Sequence, residues 1–161
     1  MRFAFRPLTR AFVAESLTWR YEPPYDVYNA YVSAAREAEV IATYFSGESA
    51  FRQIEMYGVP IAIASFGLDG QVDGGDYHDE ALDIGLGVAP GMTGKGLGTG
   101  IVRSVVGFAE RTFSPPALRV TIAAFNLRAQ RVWEKNGFRP ASRFTATGSG
   151  MKFIVYTRVA R

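Results

Sequence analysis

Three groups of residues in this chain have types and spacings that could do chemistry. The first is Thr93-Gly94-Lys95-Gly96-Leu97-Gly98-Thr99-Gly100, a glycine-rich turn between an apolar run and a helical pattern. Glycines let the backbone pass close to a ligand, and unpaired N–H groups at a helix start point outward with the positive end of the dipole behind them. A pyrophosphate fits there without a cationic side chain, and Lys95 adds a screened positive charge. The same glycines also suit a tight strand-to-helix connection and nothing more. The second group is Trp19, Tyr21, Tyr25 and Tyr28 around Pro23-Pro24. It is either a stiff loop pinned over the core or one wall of a pocket for an apolar or cationic ligand. The third is the polar turn Asp69 to Glu80 with five carboxylates, Asp69, Asp73, Asp76, Asp79 and Glu80. It reads as a solvated loop or as an electrostatic lure for a cationic amine, and the lone His78 within it reads as a surface residue.

Composition narrows the setting for these groups. The chain has 161 residues, 48% of them hydrophobic and 20% charged, which fits one compact domain over residues 1–161. A net charge of +3 with scattered basic residues gives no stripe that would track nucleic acid. With no cysteine there is no disulfide framework, thiolate metal site or cysteine nucleophile. No metal is implied. The amino terminus lacks the apolar segment of a signal peptide, and no run reaches the roughly 18 apolar residues of a membrane span. A soluble cytoplasmic protein is the expectation.

The elements that must position these residues can be placed in order. Phe3 to Pro7 alternates as a strand, and Thr9 caps a helix from about Arg10 to Trp19. A second helix is expected over Val27 to Tyr44, with a strand at its end on Val32, Val40 and Ile41 as the alternative. Ala50 to Met56 and Ile61 to Leu68 form a hairpin around Tyr57-Gly58-Val59-Pro60. Leu82 to Val88 is a strand, ended by Pro90 and Gly91, and Leu97, Ile101, Val105, Phe108 and Ala109 recur at helical spacing. Leu118 to Ala124 is a β-branched strand. A helix follows from Leu127 to about Asn136, with Gly137 as its cap and Pro140 as a further stop. Arg143 to Thr147 and Phe153 to Arg158 make a last pair of strands.

Two stretches coincide with the acyl-CoA-binding motifs of one superfamily. Val88-Ala89-Pro90 followed by Thr93-x-x-Gly96-x-Gly98, and then Asn126-x-x-Ala129-x-Arg131-Val132-Trp133-Glu134-Lys135-Asn136-Gly137-Phe138, resemble those of the GNAT N-acetyltransferases. Phe3-x-x-Arg6-Pro7-Leu8 is similar to that superfamily's opening strand. The resemblance implies an α/β (α+β) fold. Its mixed, mostly antiparallel sheet has six to seven strands, helices on both faces, and splayed fourth and fifth strands that take the pantetheine arm between them. Gly85 and Gly87 suggest a bulge in the fourth strand, freeing backbone groups around Val88 for the pantetheine amides.

The activity implied is transfer of an acetyl group from acetyl-CoA, as cosubstrate, to a small-molecule or peptide amine. By the same resemblance Val88, Thr93, Gly94, Lys95, Gly96, Leu97, Gly98, Thr99, Asn126, Ala129 and Trp133 hold the cofactor. Asn126 serves equally well as a helix N-cap. Holding a lysine-type amine neutral at pH 7 costs about 4 to 5 kcal/mol, so a carboxylate usually helps to remove the proton. Asp83 and Glu80 are the candidates, Asp83 being preferred for its apolar neighbours or else read as an outward-facing strand acid. The Val88 N–H is the expected contact to the thioester oxygen. Trp19, Tyr21, Tyr25 and Tyr28 are the acceptor-side residues. Thr93 and Trp133 depart from the family pattern. Trp133 stands where many members carry a tyrosine, and an indole cannot protonate a departing thiolate. Tyr156 is a reserve donor or a core tyrosine. A catalytically silent CoA sensor is the alternative, and a homodimer is left open.

Overall fold

A computed structural model describes residues 2–161 of the chain. Seven strands form one sheet in the order β1-β2-β3-β4-β5-β7-β6. They are β1 (Phe3–Pro7), β2 (Ser49–Met56), β3 (Val59–Gly67), β4 (Leu82–Val88), β5 (Ala117–Ala123), β6 (Arg139–Thr145) and β7 (Lys152–Val159). Every neighbouring pair is antiparallel except β4 and β5. The helices are α1 (Arg10–Ser16), α2 (Glu37–Thr43), α3 (Gly98–Phe113) and α4 (Leu127–Lys135). Among the described residues no helix is long and apolar enough to cross a membrane.

Strand alternation sends two sets of side chains to opposite faces. On one face Ile54, Ala62, Ala64, Ile84, Val120 and Ile122 pack under the α3 residues Ile101, Val102, Val105 and Ala109 and the α4 residue Trp133. On the other, Ile63 and Phe51 meet Leu8, Phe12 and Val13 of the α1 region and Ile41 of α2. A central strand covered on both faces must be apolar at successive positions, and Ile61 to Phe66 of β3 is buried without a break.

The elements differ from expectation at four places. Helix α1 stops at Ser16, and the expected helix over Val27 to Tyr44 is a single 3₁₀ turn at Tyr25–Tyr28 followed, after an irregular stretch, by α2. The irregular chain is held by the Tyr21 N–H donating to Asn29 Oδ1 at 2.8 Å, which folds the aromatic loop back on itself. Pro140 lies inside β6 and not in a loop, because β6 is the sheet's edge and its register is already irregular between Pro140 and Ser142. The bulge expected in β4 is absent: the β3–β4 register runs evenly from Phe66–Ile84 to Ala62–Val88. Gly85 is required by close approach, since a Cβ there would lie 2.3 Å from Ser65 Oγ.

Candidate active site between the parted strands

Strands β4 and β5 are paired only at Leu82–Leu118, Asp83–Arg119 and Ile84–Val120. Beyond Ile84 they part. On its other side β4 stays paired with β3, and the Ala89 N–H donates to the Ile61 carbonyl at 2.8 Å. That bond brackets Ala62 and Val88 as a non-hydrogen-bonded pair, so the Val88 N–H and C=O point away from β3 and into the gap. Leu86, two residues earlier, is oriented in the same way.

A cavity of about 770 Å³ fills this gap. At one end lie Thr93, Gly94, Gly96, Gly98 and Thr99. Gly94 and Gly96 have φ of 71° and 74°, a conformation only glycine adopts without strain, and nothing lies within 4 Å of where their Cβ atoms would be. Helix α3 has no side-chain cap, and its first backbone bond runs from the Ile101 N–H to Leu97 O. The amides of Gly98, Thr99 and Gly100 are therefore free of helical partners. Lys95 is exposed, and Leu97 packs against the core, so neither side chain lines the cavity.

The aromatic loop closes the other side. Tyr21, Tyr25, Tyr28 and Trp19 all line the cavity. Tyr21 Oη donates to the Val88 carbonyl at 2.6 Å, and burial pushes its pKa up to about 12. Tyr28 lies 5.9 Å from Phe125 in a stacked arrangement, and its hydroxyl accepts from Asn126 Nδ2 at 3.2 Å. The Arg128 guanidinium sits 4.2 Å above the Tyr25 ring. Asn126 Oδ1 accepts from the Ala129 N–H at 3.0 Å, so this side chain caps α4 and ties it to the loop.

The two carboxylates proposed as bases are not placed for that work. Asp83 is 4% exposed, accepts from Arg119 Nε at 2.7 Å and Nη2 at 2.8 Å, and takes a further bond from Gln71 Nε2 at 2.9 Å. Both oxygens are engaged, and the residue does not line the cavity. Its partly apolar strand had suggested a free, desolvated acid, but Arg119 on the facing strand supplies the counter-charge. Glu80 is exposed outside the cavity. Tyr156 is buried and bonds Glu134 Oε1 at 3.0 Å; burial, then that carboxylate, raises its pKa, and it too lies outside the cavity. Trp133 lines the cavity while packing edge-on against Phe138 at 5.0 Å. His78 is exposed beside Asp76.

Sequence reasoning passed over Ser65, Tyr44, Phe51 and Thr121, which also line the cavity. Ser65 carried a signal, being the one hydroxyl inside the apolar run from Ile61 to Leu68. Among the described residues no group of acids and histidines is arranged to hold a metal ion.

The description "Acetyltransferase (GNAT) domain" matches residues 2–139, most of the chain. The chain belongs to the GNAT family. Solved GNAT structures share its fold at low identity. AAC(6')-Ib in complex with ribostamycin and coenzyme A is 21% identical with a TM-score of 0.77, covering 99% of this chain and 94% of that one. Its complex with acetyl-CoA and an aminoglycoside gives 22% and 0.77, with 99% and 94% covered. Spermidine N-acetyltransferase from Vibrio cholerae, in complex with CoA and spermine, is 14% identical with a TM-score of 0.70, covering 98% and 95%. No curated protein is a significant sequence match. The GNAT sheet with its parallel β4–β5 junction is thus the architecture of this chain, with seven strands within the six to seven expected.

Proposed function

We propose that this GNAT protein moves an acetyl group from acetyl-CoA to a primary amine by direct transfer. One observation carries the reading: the backbone of Leu86 and Val88 faces an open gap that leads to the free amides of Gly98, Thr99 and Gly100. Strand-edge groups suit a chain with amide groups, and helix-start amides suit a pyrophosphate, so the donors present fit the pantetheine and diphosphate of CoA. Acetyl-CoA supplies an activated thioester carbonyl when bound. The Val88 N–H is aimed into the gap as a donor for a carbonyl oxygen, and it strengthens as negative charge develops there. Tyr21 holds the Val88 carbonyl and thereby the orientation of that peptide. Thr93 adds a hydroxyl at the cavity wall, although this group is already donating to the Pro90 carbonyl at 2.9 Å. Ala129 and Trp133 line the side next to α4.

A thiol pKa near 8.5 makes the thiolate a tolerable leaving group, so the buried Trp133 need not give a proton. Calorimetry with CoA and acetyl-CoA tests cofactor binding, and CoA release in the presence of spermidine, ribostamycin and a peptide amino terminus tests transfer. Binding without release would favour the second reading, a CoA-sensing module, which the absence of an acidic proton donor at Trp133 supports. Absence of binding at millimolar CoA would end both.

A further inference from the structure

Ser65 is 2% exposed, and its Oγ is, among the described residues, the buried side-chain polar atom left without a hydrogen-bond partner. An orphaned buried hydroxyl is costly, so it marks a place where another molecule completes the bonding. Ser65 stands on β3 opposite Gly85 of β4. A Cβ on Gly85 would fall 2.3 Å from Ser65 Oγ and 3.3 Å from Asp69 Oδ2. Ser65 Oγ thus takes the place that a side chain on Gly85 would need, with the Asp69 carboxylate beside it, and both residues line the cavity. Asp69 is the carboxylate of the Asp69 to Glu80 loop that does so. Its backbone is fixed, with the Asp69 N–H donating to Ser49 Oγ at 2.9 Å.

The walls are aromatic. Trp19 reaches to 3.9 Å from the Cβ position of the neighbouring Gly87, and Tyr44 packs on Phe51 at 5.0 Å, Phe51 being the β2 partner of Ser65. The Asp69 charge is felt at Tyr44, whose pKa is raised first by burial and then by that carboxylate. Water alone would satisfy the hydroxyl, but a carboxylate in a cavity walled by aromatic rings selects a cation. An ammonium has three donors and no acceptor, which matches one hydroxyl and one carboxylate with a donor to spare.

We propose that the cavity wall at Gly85 seats the acceptor's ammonium group, with Ser65 Oγ accepting one N–H and the Asp69 carboxylate taking the proton that leaves before attack. This rests on the acetyl-transfer reading and names its acceptor class: primary alkylammonium compounds with an apolar stem. The step balances as follows. One ammonium proton passes to Asp69 and on to solvent. The amine nitrogen forms a bond to the thioester carbonyl carbon, the C–S bond breaks, and the sulfur keeps the electron pair. A second nitrogen proton ends on the thiolate, leaving an amide and a free thiol.

The test uses phenethylamine and its neutral counterpart 2-phenylethanol, with binding read by saturation-transfer NMR on the apo and the CoA-loaded protein at neutral pH. The amine is expected to bind about tenfold or more tighter than the alcohol, the scale of one charge-assisted contact. In Asp69→Asn, an exposed and isosteric change, the preference should collapse below about threefold. Equal affinities in the parent, or a larger preference surviving in Asp69→Asn, would overturn the assignment. Ser65→Ala should weaken the amine and leave the alcohol unaffected; an unchanged amine affinity removes Ser65 from the seat. CoA affinity is measured separately by calorimetry, so loss of the acetyl-transfer reading and loss of the amine seat give different results.

Discussion

Asp83 and Arg119 face each other across the parallel ladder one rung before it ends, joined by two hydrogen bonds of 2.7 and 2.8 Å with both side chains 4% exposed. Arg119 is further tied to the Asp79 carbonyl at 2.9 Å and lies over the Tyr77 ring. The pair thus fastens β4 to β5 and to the overlying loop at the point where the strands begin to part. The gap opens one rung beyond this fastening, past Ile84 and Val120.

Removing one partner leaves a buried charge without its counterpart. Asp83→Ala is expected to cost about 3 to 5 kcal/mol, with a fall in Tm on the order of 10 °C. The double change Asp83→Leu with Arg119→Leu should recover most of that loss, because an apolar pair of similar volume carries no desolvation cost. Turnover per folded molecule should survive in Asp83→Asn and in Glu80→Gln. A drop of about a hundredfold or more in kcat for Asp83→Asn, measured on folded protein, would restore the base role to it.

Tyr21 makes a pH-dependent contribution whose sign follows from its raised pKa of about 12. Burial favours the neutral phenol, so its share of the stability is fully present below the ordinary tyrosine pKa near 10 and is lost as pH rises from there through about 12. Urea melts of the parent and Tyr21→Phe should therefore differ most below pH 10 and converge toward pH 12. The neutral-pH difference should be about 0.5 to 1.5 kcal/mol, the ordinary worth of one hydrogen bond. No difference at neutral pH would mean that the bond to Val88 does not form in solution, and no convergence would mean that the phenol is not held in a buried site.

At the glycine turn, backbone and side chain can be separated. Gly96→Ala forces a Cβ into a left-handed conformation at a cost of about 1 to 2 kcal/mol, so CoA affinity should fall by about five- to thirtyfold. Lys95→Ala should change it by less than about threefold, because that side chain is exposed and screened. Isothermal calorimetry at two salt concentrations ranks the two. A larger effect for Lys95→Ala would place the grip on the side chain instead of the amides.

Trp133 separates packing from proton donation. Trp133→Ala should destabilise by about 3 to 5 kcal/mol, since the indole is 4% exposed and packs on Phe138. Trp133→Phe keeps an aromatic edge and should retain kcat to within about threefold, as expected of a residue that gives no proton. A much larger loss of kcat in a stably folded Trp133→Phe would assign the indole N–H a part in transfer.

Much of this was open to reading in one dimension. Alternation placed β1 and the β2–β3 hairpin, helical spacing placed α3 and α4, and the glycine turn announced free amides, because each depends on residues near in sequence. The aromatic loop was harder to read. The helix expected from Val27 begins only at Glu37, where α2 holds Val40 and Ile41, because the chain before it is folded back with Tyr21 on Val88, 67 residues away. Asp83 was misjudged for the same reason, its counter-charge being 36 positions distant on another strand.

By itself, then, the sequence determined the strand-turn-helix with its glycines, the β2–β3 hairpin and the family motifs, all matters of local sterics and periodicity. Only the tertiary structure decided that Asp83 is paired with Arg119, that Asn126 caps α4 and that Ser65 and Asp69 meet beside Gly85. Those outcomes depend on which groups from distant strands meet at a few ångströms, where charge pairing and hydrogen-bond satisfaction are settled and where no periodicity along the chain can reach.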